Sequence, residues 1–310
     1  MRLPALIVLA TLAASGAAQP AGDDPPFLVV LGIGQDGGVP QAGDSDARGW
    51  TDPSYRRLVV SLGLSDPASG RRWMFEATPD FPEQLARFDR VAARGDSLVL
   101  DGIFLTHAHI GHYTGLMYLG HESMGAQGIP VYAMPRMAGF LRNNGPWSQL
   151  IQYENVRLEV LFADQPVELA PGLEVTPIRV PHRQEFSEVV GYRIDGPDRS
   201  ALFVPDIDSW DEWDAAGMRI EDILATVDVA YLDATFYSDG EIPGRDMSGF
   251  PHPFITVTME RLAALPSSEQ AKVRFIHLNH TNPALWPGPE RDAIRRAGMR
   301  VAEEGERVSL

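Results

Sequence analysis

The alternation of apolar and polar positions gives a chain of short strands with helices between them. Residues 27–32 (FLVVLG) form an unbroken apolar run of strand length, which predicts a strand buried on both faces. Further short runs, mostly β-branched and bounded by Gly, Pro or Asp, predict strands at 57–62, 72–76, 101–106, 130–133 and 156–162. Others follow at 173–180, 189–194, 201–205, 227–233 and 272–278. Apolar residues at helical spacing predict helices at 80–94, 115–124, 136–143, 220–226, 255–265 and 289–297. No repeat, low-complexity tract or shift in composition divides residues 27–310, so a single α/β domain with helix-covered sheets is expected.

The segment before that domain has a different character. Arg2 precedes an apolar run at 5–12, and small residues fill 13–18, the pattern of a secretory signal peptide cleaved after Ala17 or Ala18. The apolar run is too short for a stable transmembrane helix. A linker at 19–26 (QPAGDDPP) follows. The expectation is an exported protein, periplasmic or secreted, with no membrane attachment after cleavage. The formal net charge of −16 disfavours nucleic acid as a partner and leaves a small-molecule substrate. The chain contains no cysteine, so disulfides, thiolate metal sites and cysteine nucleophiles are excluded. A transition metal would have to be held by imidazole and carboxylate.

The eight histidines are unevenly placed. Three fall within Thr106-His107-Ala108-His109-Ile110-Gly111-His112, directly after the apolar Ile103-Phe104-Leu105. A strand ending in H-x-H throws two imidazoles to one side, because side chains alternate with period two. A turn at Gly111 lets the third return to the same centre. Zinc takes three or four such donors in a tetrahedral array. More donors stand just past other apolar runs: His182, Asp206 and His280.

This order of ligand types resembles the metallo-β-lactamase superfamily, whose motif is H-x-H-x-D-H followed by a His, an Asp and a His. The resemblance implies a four-layer αββα sandwich. It also implies that His107, His109 and His182 hold one divalent metal ion and that His112, Asp206 and His280 hold a second. Asp206 would bridge the two and orient the attacking hydroxide. Zinc is the expected metal, with manganese or iron as alternatives. Gly111 stands where the motif has its aspartate, which leaves either one ion or two; Asp36 is a candidate replacement.

Other stretches narrow the resemblance to the branch containing the pyrroloquinoline quinone biosynthesis protein B. They are residues 34–41 (GQDGGVPQ), 114–116 (TGL), 232–241 (LDATFYSDGE) and 277–283 (HLNHTNP). Proteins of that pathway commonly lack some of the superfamily's histidines, whereas this chain has His107, His109 and His280 in those places. The implied function is therefore a metal-dependent hydrolase that uses metal-activated water on an ester, lactone, amide or phosphodiester bond. The alternative is a non-hydrolytic, iron-dependent oxidative metalloenzyme of the same branch.

Around this set, His252 lies in a Pro- and Gly-rich loop and either contacts substrate or donates a proton to the leaving group, or is an ordinary exposed residue. Asp233 is a candidate to orient a ligand imidazole, with Glu76 and Asp80 behind it. His121 and His277 are assigned to structure, His277 because its strand position points it away from His280. The aromatics Trp147, Trp210, Trp213, Phe236, Tyr237 and Phe250 either line a pocket or pack the core.

Overall fold

The first apolar run forms strand β1 (Phe27–Gly32), and all six of its residues are buried. Alternation explains how. Leu28 and Val30 enter one core, while Phe27, Val29 and Leu31 enter a second, where Phe81, Leu85 and Phe88 of the helix Phe81–Val91 meet them. The computed structural model that shows this describes residues 24–92 and 100–310. The signal-peptide reading at 1–18 and most of the 19–26 linker lie outside the described residues.

The first half of the chain adds β2 (Ser61–Asp66), β3 (Arg71–Phe75), β4 (Gly102–Phe104), β5 (Ile129–Ala133) and β6 (Val156–Val160). The second half gives β7 (Val167–Ala170), β8 (Leu173–Arg179), β9 (Val190–Asp195), β10 (Ser200–Val204), β11 (Val229–Asp233), β12 (Val273–Ile276) and β13 (Arg300–Val301). Last, β14 (Arg307–Ser309) returns to pair antiparallel with β1. Two seven-stranded sheets result, in the orders β14-β1-β2-β3-β4-β5-β6 and β13-β12-β11-β10-β9-β8-β7. Each is mixed. In the first, β3 to β6 run parallel, and in the second, β10 to β13 do.

The sheets pack face to face through aromatic rings. Phe75 of β3 lies 5.4 Å from Tyr192 of β9 and 6.1 Å from Phe203 of β10, and Phe104 of β4 lies 5.5 Å from Tyr192. The first sheet's outer face is covered by helices Phe81–Val91, Pro135–Asn143 and Trp147–Gln152. Trp213, Ile220, Leu224, Ile255, Leu262 and Ile294 bring helices onto the second. This is the expected αββα sandwich. Among the described residues no helix is long and apolar enough to cross a membrane.

Some predicted elements shift. The strand expected at 57–62 runs Ser61–Asp66, because Val59 instead bridges to Gly34 in a glycine-rich loop at residues 32–41. The helix expected at 115–124 is a short turn, Ile110–Tyr113, followed by a tighter 3-10 stretch, Thr114–Leu119.

In open α/β sheets, ligands bind beyond the carboxyl ends of the parallel strands. Here Glu76 follows β3, His107 stands just past β4, Asp206 just past β10, Asp233 ends β11 and His277 follows β12. The fold therefore delivers chemistry-bearing side chains from both sheets to one rim.

Candidate metal centre

Three imidazoles meet at the first position. Nε2 of His107 is 2.8 Å from Nδ1 of His109, which is 3.2 Å from Nε2 of His182. Their other nitrogens are engaged outside the group. His107 Nδ1 faces Thr106 Oγ1 at 2.8 Å, and that hydroxyl already donates to Glu76 Oε1 at 2.5 Å, so the imidazole must donate. His182 Nδ1 donates to Asp208 Oδ1 at 2.6 Å, and His109 Nε2 donates to Glu185 Oε2 at 3.2 Å. Assigning the protons from these partners leaves each inward nitrogen with a bare lone pair. Three converging lone pairs repel one another unless a cation stands among them. Burial, reinforced by the charge of His112, holds the His107 pKa well below the usual imidazole range. His109 is lowered by burial and by His182. Both changes favour the neutral, ligating form.

A second group adjoins the first. His112 Nε2 lies 3.1 Å from Asp206 Oδ2 and 3.0 Å from Asp36 Oδ1. His277 Nε2 lies 3.4 Å from Asp206 Oδ2 and 3.3 Å from Asp36 Oδ1. The other oxygen of Asp206, Oδ1, is 3.7 Å from His182 Nε2, so this carboxylate reaches both groups. Burial alone would raise Asp206, but the charges of His277 and His112 bring it well below the carboxylate range. Burial likewise opposes ionisation of Asp36, and hydrogen bonds from His112 and His277 overcome it. Burial would lower His112, yet Asp206 and Glu76 lift it well above its ordinary value. That proton partly offsets the negative charge gathered here.

Three buried carboxylates, Glu76, Asp206 and Asp233, lie within or beside a nest of imidazoles. His112 Nδ1 and Asp206 Oδ2 are both buried without an aligned hydrogen-bond partner. Orphaned buried polar atoms are costly, and an imidazole–carboxylate donor set suits zinc, manganese or iron. The residues fit one or two divalent ions.

The predicted residues are mostly brought together. His107, His109, His112, His182 and Asp206 all lie within these groups, and Asp36 joins them. His280 does not. It belongs to none of the ligand-distance groups and lines a separate cavity with Val39, Pro40, Tyr55 and Trp286. The histidine that faces the centre is His277, assigned above to structure. Strand alternation does not reach this residue, because β12 ends at Ile276 and His277 takes φ = 67°, which takes it out of the pleat. A non-glycine residue held there marks a position fixed by its surroundings.

The surrounding network was only partly foreseen. His252 is buried, and its Nδ1 stands 2.8 Å from Asp233 Oδ2, 3.1 Å from Thr235 Oγ1 and 3.9 Å from Asp206 Oδ1. The same threonine donates to Asp233 Oδ1 at 2.7 Å and accepts from His277 Nδ1 at 2.9 Å. Asp80 instead accepts from the Val59 amide at 2.9 Å and anchors the base of the glycine-rich loop. His121 stacks on Tyr153, apart from the centre, as its structural assignment expects. The roles of Thr106, Thr235, Asp208 and Glu185 carried no sequence signal beyond closeness to a ligand or a strand end.

An αββα sandwich whose strand ends gather imidazoles and carboxylates from both sheets defines a metal-binding protein of the metallo-β-lactamase fold. Residues 71–280 match the Beta-lactamase superfamily domain, and the chain belongs to that family. It is similar along most of its length to the Coenzyme PQQ synthesis protein B of Xanthomonas euvesicatoria pv. vesicatoria, at 28% identity over 91% of this chain and 99% of the relative. The protein of the same name from Klebsiella pneumoniae is 27% identical over 92% and 98%. Among solved structures, Zn2+-bound PqqB from Methylobacterium extorquens has a TM-score of 0.72 at 22% identity, covering 92% of this chain and all of that one. A diphosphatase from the PhnP family has a TM-score of 0.64 at 23% identity, over 92% and 97%.

Proposed function

We propose that this chain is a metal-dependent hydrolase acting on an ester, lactone, amide or phosphodiester bond of a small molecule. The observation that carries the reading is the orientation of the imidazoles. Hydrogen bonds to Thr106, Asp208 and Glu185 occupy their outer nitrogens, and their lone pairs point at one another. The Zn2+-bound PqqB and the diphosphatase share the fold and are consistent with this reading.

Divalent ions bound here would lower the pKa of water toward neutrality and polarise the substrate oxygen. The protein's own part begins with Asp206, whose carboxylate reaches both groups and is held ionised, so that it can accept an O–H hydrogen bond and aim an attacking water. His252 supplies the proton. Its ring sits 5.5 Å from that of His182 and 5.9 Å from that of His277. Burial would lower its pKa, but the adjacent Asp233 carboxylate raises it, so His252 keeps a proton for a leaving group near neutral pH. Asp233 is itself fixed by the amides of Ile207 and Thr235.

Two large exposed apolar side chains neighbour the centre in sequence. Ile110, between His109 and Gly111, is 69% exposed. Phe186, next to the His109 partner Glu185, is 60% exposed and lies 5.6 Å from Phe140. They favour a substrate with an apolar portion beside the cleaved bond.

The test is turnover of p-nitrophenyl esters, lactones and bis(p-nitrophenyl) phosphate by protein loaded with zinc or manganese. Loss of turnover and of metal in His107→Ala, and of turnover in Asp206→Ala, is expected. A protein that purifies with iron, consumes oxygen and hydrolyses none of the panel would overturn the proposal in favour of oxidation.

A further inference from the structure

The residue at 111 and the residue at 36 compete for one place. Gly111 is the second residue of the short turn Ile110–Tyr113 and is buried, and its φ is not positive. Left-handed backbone therefore does not explain the glycine. Space does. A Cβ built on Gly111 would fall 2.4 Å from Cα, 2.6 Å from Cβ and 2.7 Å from Cγ of Asp36. Such distances are far inside van der Waals contact. Asp36 occupies the volume into which a side chain at 111 would grow.

Asp36 is also firmly placed. Gly34 bridges to Val59 on one side and to Leu278 on the other. The Gln35 amide donates to the Leu278 carbonyl at 2.8 Å, and the Gly38 amide closes the turn onto the Gln35 carbonyl at 2.7 Å. The Asn279 side-chain amide donates to that of Gln35. Between these anchors, Asp36 Oδ1 stands 3.0 Å from His112 Nε2 and 3.3 Å from His277 Nε2. Its side chain is 42% exposed, against 0% for His112, so it is the open edge of an otherwise buried group.

We infer that Asp36 is the carboxylate ligand of a second divalent ion, with His112, His277 and Asp206, and that Gly111 is the vacancy which admits it. The inference rests on the metal-centre reading above. The motif aspartate has not been lost from the site. Its charge arrives from the glycine-rich loop instead of from the turn that carries His112. The second position then offers two imidazoles and two carboxylates, a set that favours a hard divalent ion such as manganese as well as zinc.

The test removes the carboxylate at 36. Metal content and affinity are measured after loading with zinc or manganese, by elemental analysis and by competition with a chromogenic chelator. The wild type is expected to bind two ions. Asp36→Asn, which keeps the shape and removes the charge, and Asp36→Gly are expected to keep one ion tightly and to hold the second at least about 100-fold more weakly. Gly111→Asp alone should not tighten the second ion, because Asp36 fills its place. Two outcomes overturn the inference and leave the metal reading standing: a wild type that binds only one ion, or Asp36→Asn and Asp36→Gly that both bind two ions as tightly as wild type. A wild type that binds no ion sinks the metal-centre reading itself. Should Asp36→Gly fail to fold, Asp36→Asn, which keeps the shape of the side chain, still decides the matter.

Discussion

Glu76 Oε1 lies 3.3 Å from Nδ1 of His112 and accepts the Thr106 hydroxyl that in turn faces His107. One fully buried carboxylate, at a residue held at φ = 75°, thus braces an imidazole in each half of the centre. Glu76→Gln keeps the volume and removes the charge facing His112. We expect both ions to bind about 10–100-fold more weakly, the usual effect of removing a partner that orients a ligand. Chelator competition measures it. Unchanged affinity in a folded variant would show that the brace has no energetic role.

His277 and His280 separate the structural reading from the sequence expectation. His277→Ala should lose the second ion and most turnover. His280→Ala should keep both, since that residue lines a different cavity. Elemental analysis of the two variants side by side is enough. Metal loss in His280→Ala with retention in His277→Ala would reverse the assignment.

The proton on His112 makes metal binding depend on pH. Burial opposes that proton, but Asp206 and Glu76 raise the pKa well above the ordinary imidazole value. An ion taking Nε2 must displace a proton that is still bound above neutral pH. Affinity should therefore rise with pH, by up to about tenfold per unit for one displaced proton, and level off only above the raised pKa. Calorimetry in buffers of different ionisation enthalpy would detect the released proton. A flat profile from about pH 6 to about pH 9 would refute it.

The pair His252 and Asp233 should shape the alkaline side of the rate profile. Asp233 raises the pKa of His252 against the opposing effect of burial, so the proton donor is present below that pKa and is lost as pH rises through it. In Asp233→Asn the raising charge disappears, and the alkaline limb of kcat should move to lower pH. His252→Gln should abolish the limb and slow substrates with poor leaving groups by about 10²–10⁴-fold, while activated p-nitrophenyl substrates suffer less. Equal losses on both kinds of substrate would remove His252 from the proton-donor role.

Much of the fold and of the candidate site could be read from the chain, for a definite reason. Ligands placed just past apolar strands stay visible, because the strand marks the direction and its end marks the site. His107, His109, His182 and Asp206 were legible on that ground. His277 was hidden by its backbone. Alternation is a property of the pleat, and at φ = 67° the residue has already left it. Asp36 could be named only as a replacement for a missing charge, since the collision with Gly111 exists only in three dimensions. The strands missed, Val167–Ala170, Arg300–Val301 and Arg307–Ser309, are short and partly exposed, so tertiary pairing creates them and no apolar pattern announces them. Helix Trp210–Ala215 is short and acidic, and its Ser209 cap and buried Trp210 and Trp213 fix it more than any periodicity does.

The pairing of β14 with β1 bears on how the molecule comes into being. Val308 lies across from Leu28, and the Leu310 amide donates to the Pro26 carbonyl at 2.8 Å. A strand at residues 27–32 therefore waits for one at residues 307–309. Until Arg307–Ser309 has been synthesised, one edge of β1 lacks its neighbour, and the first sheet lacks its edge strand. A chain cut before residue 307 would leave that side of β1 as a row of free amides and carbonyls, open to pairing with a strand of another molecule.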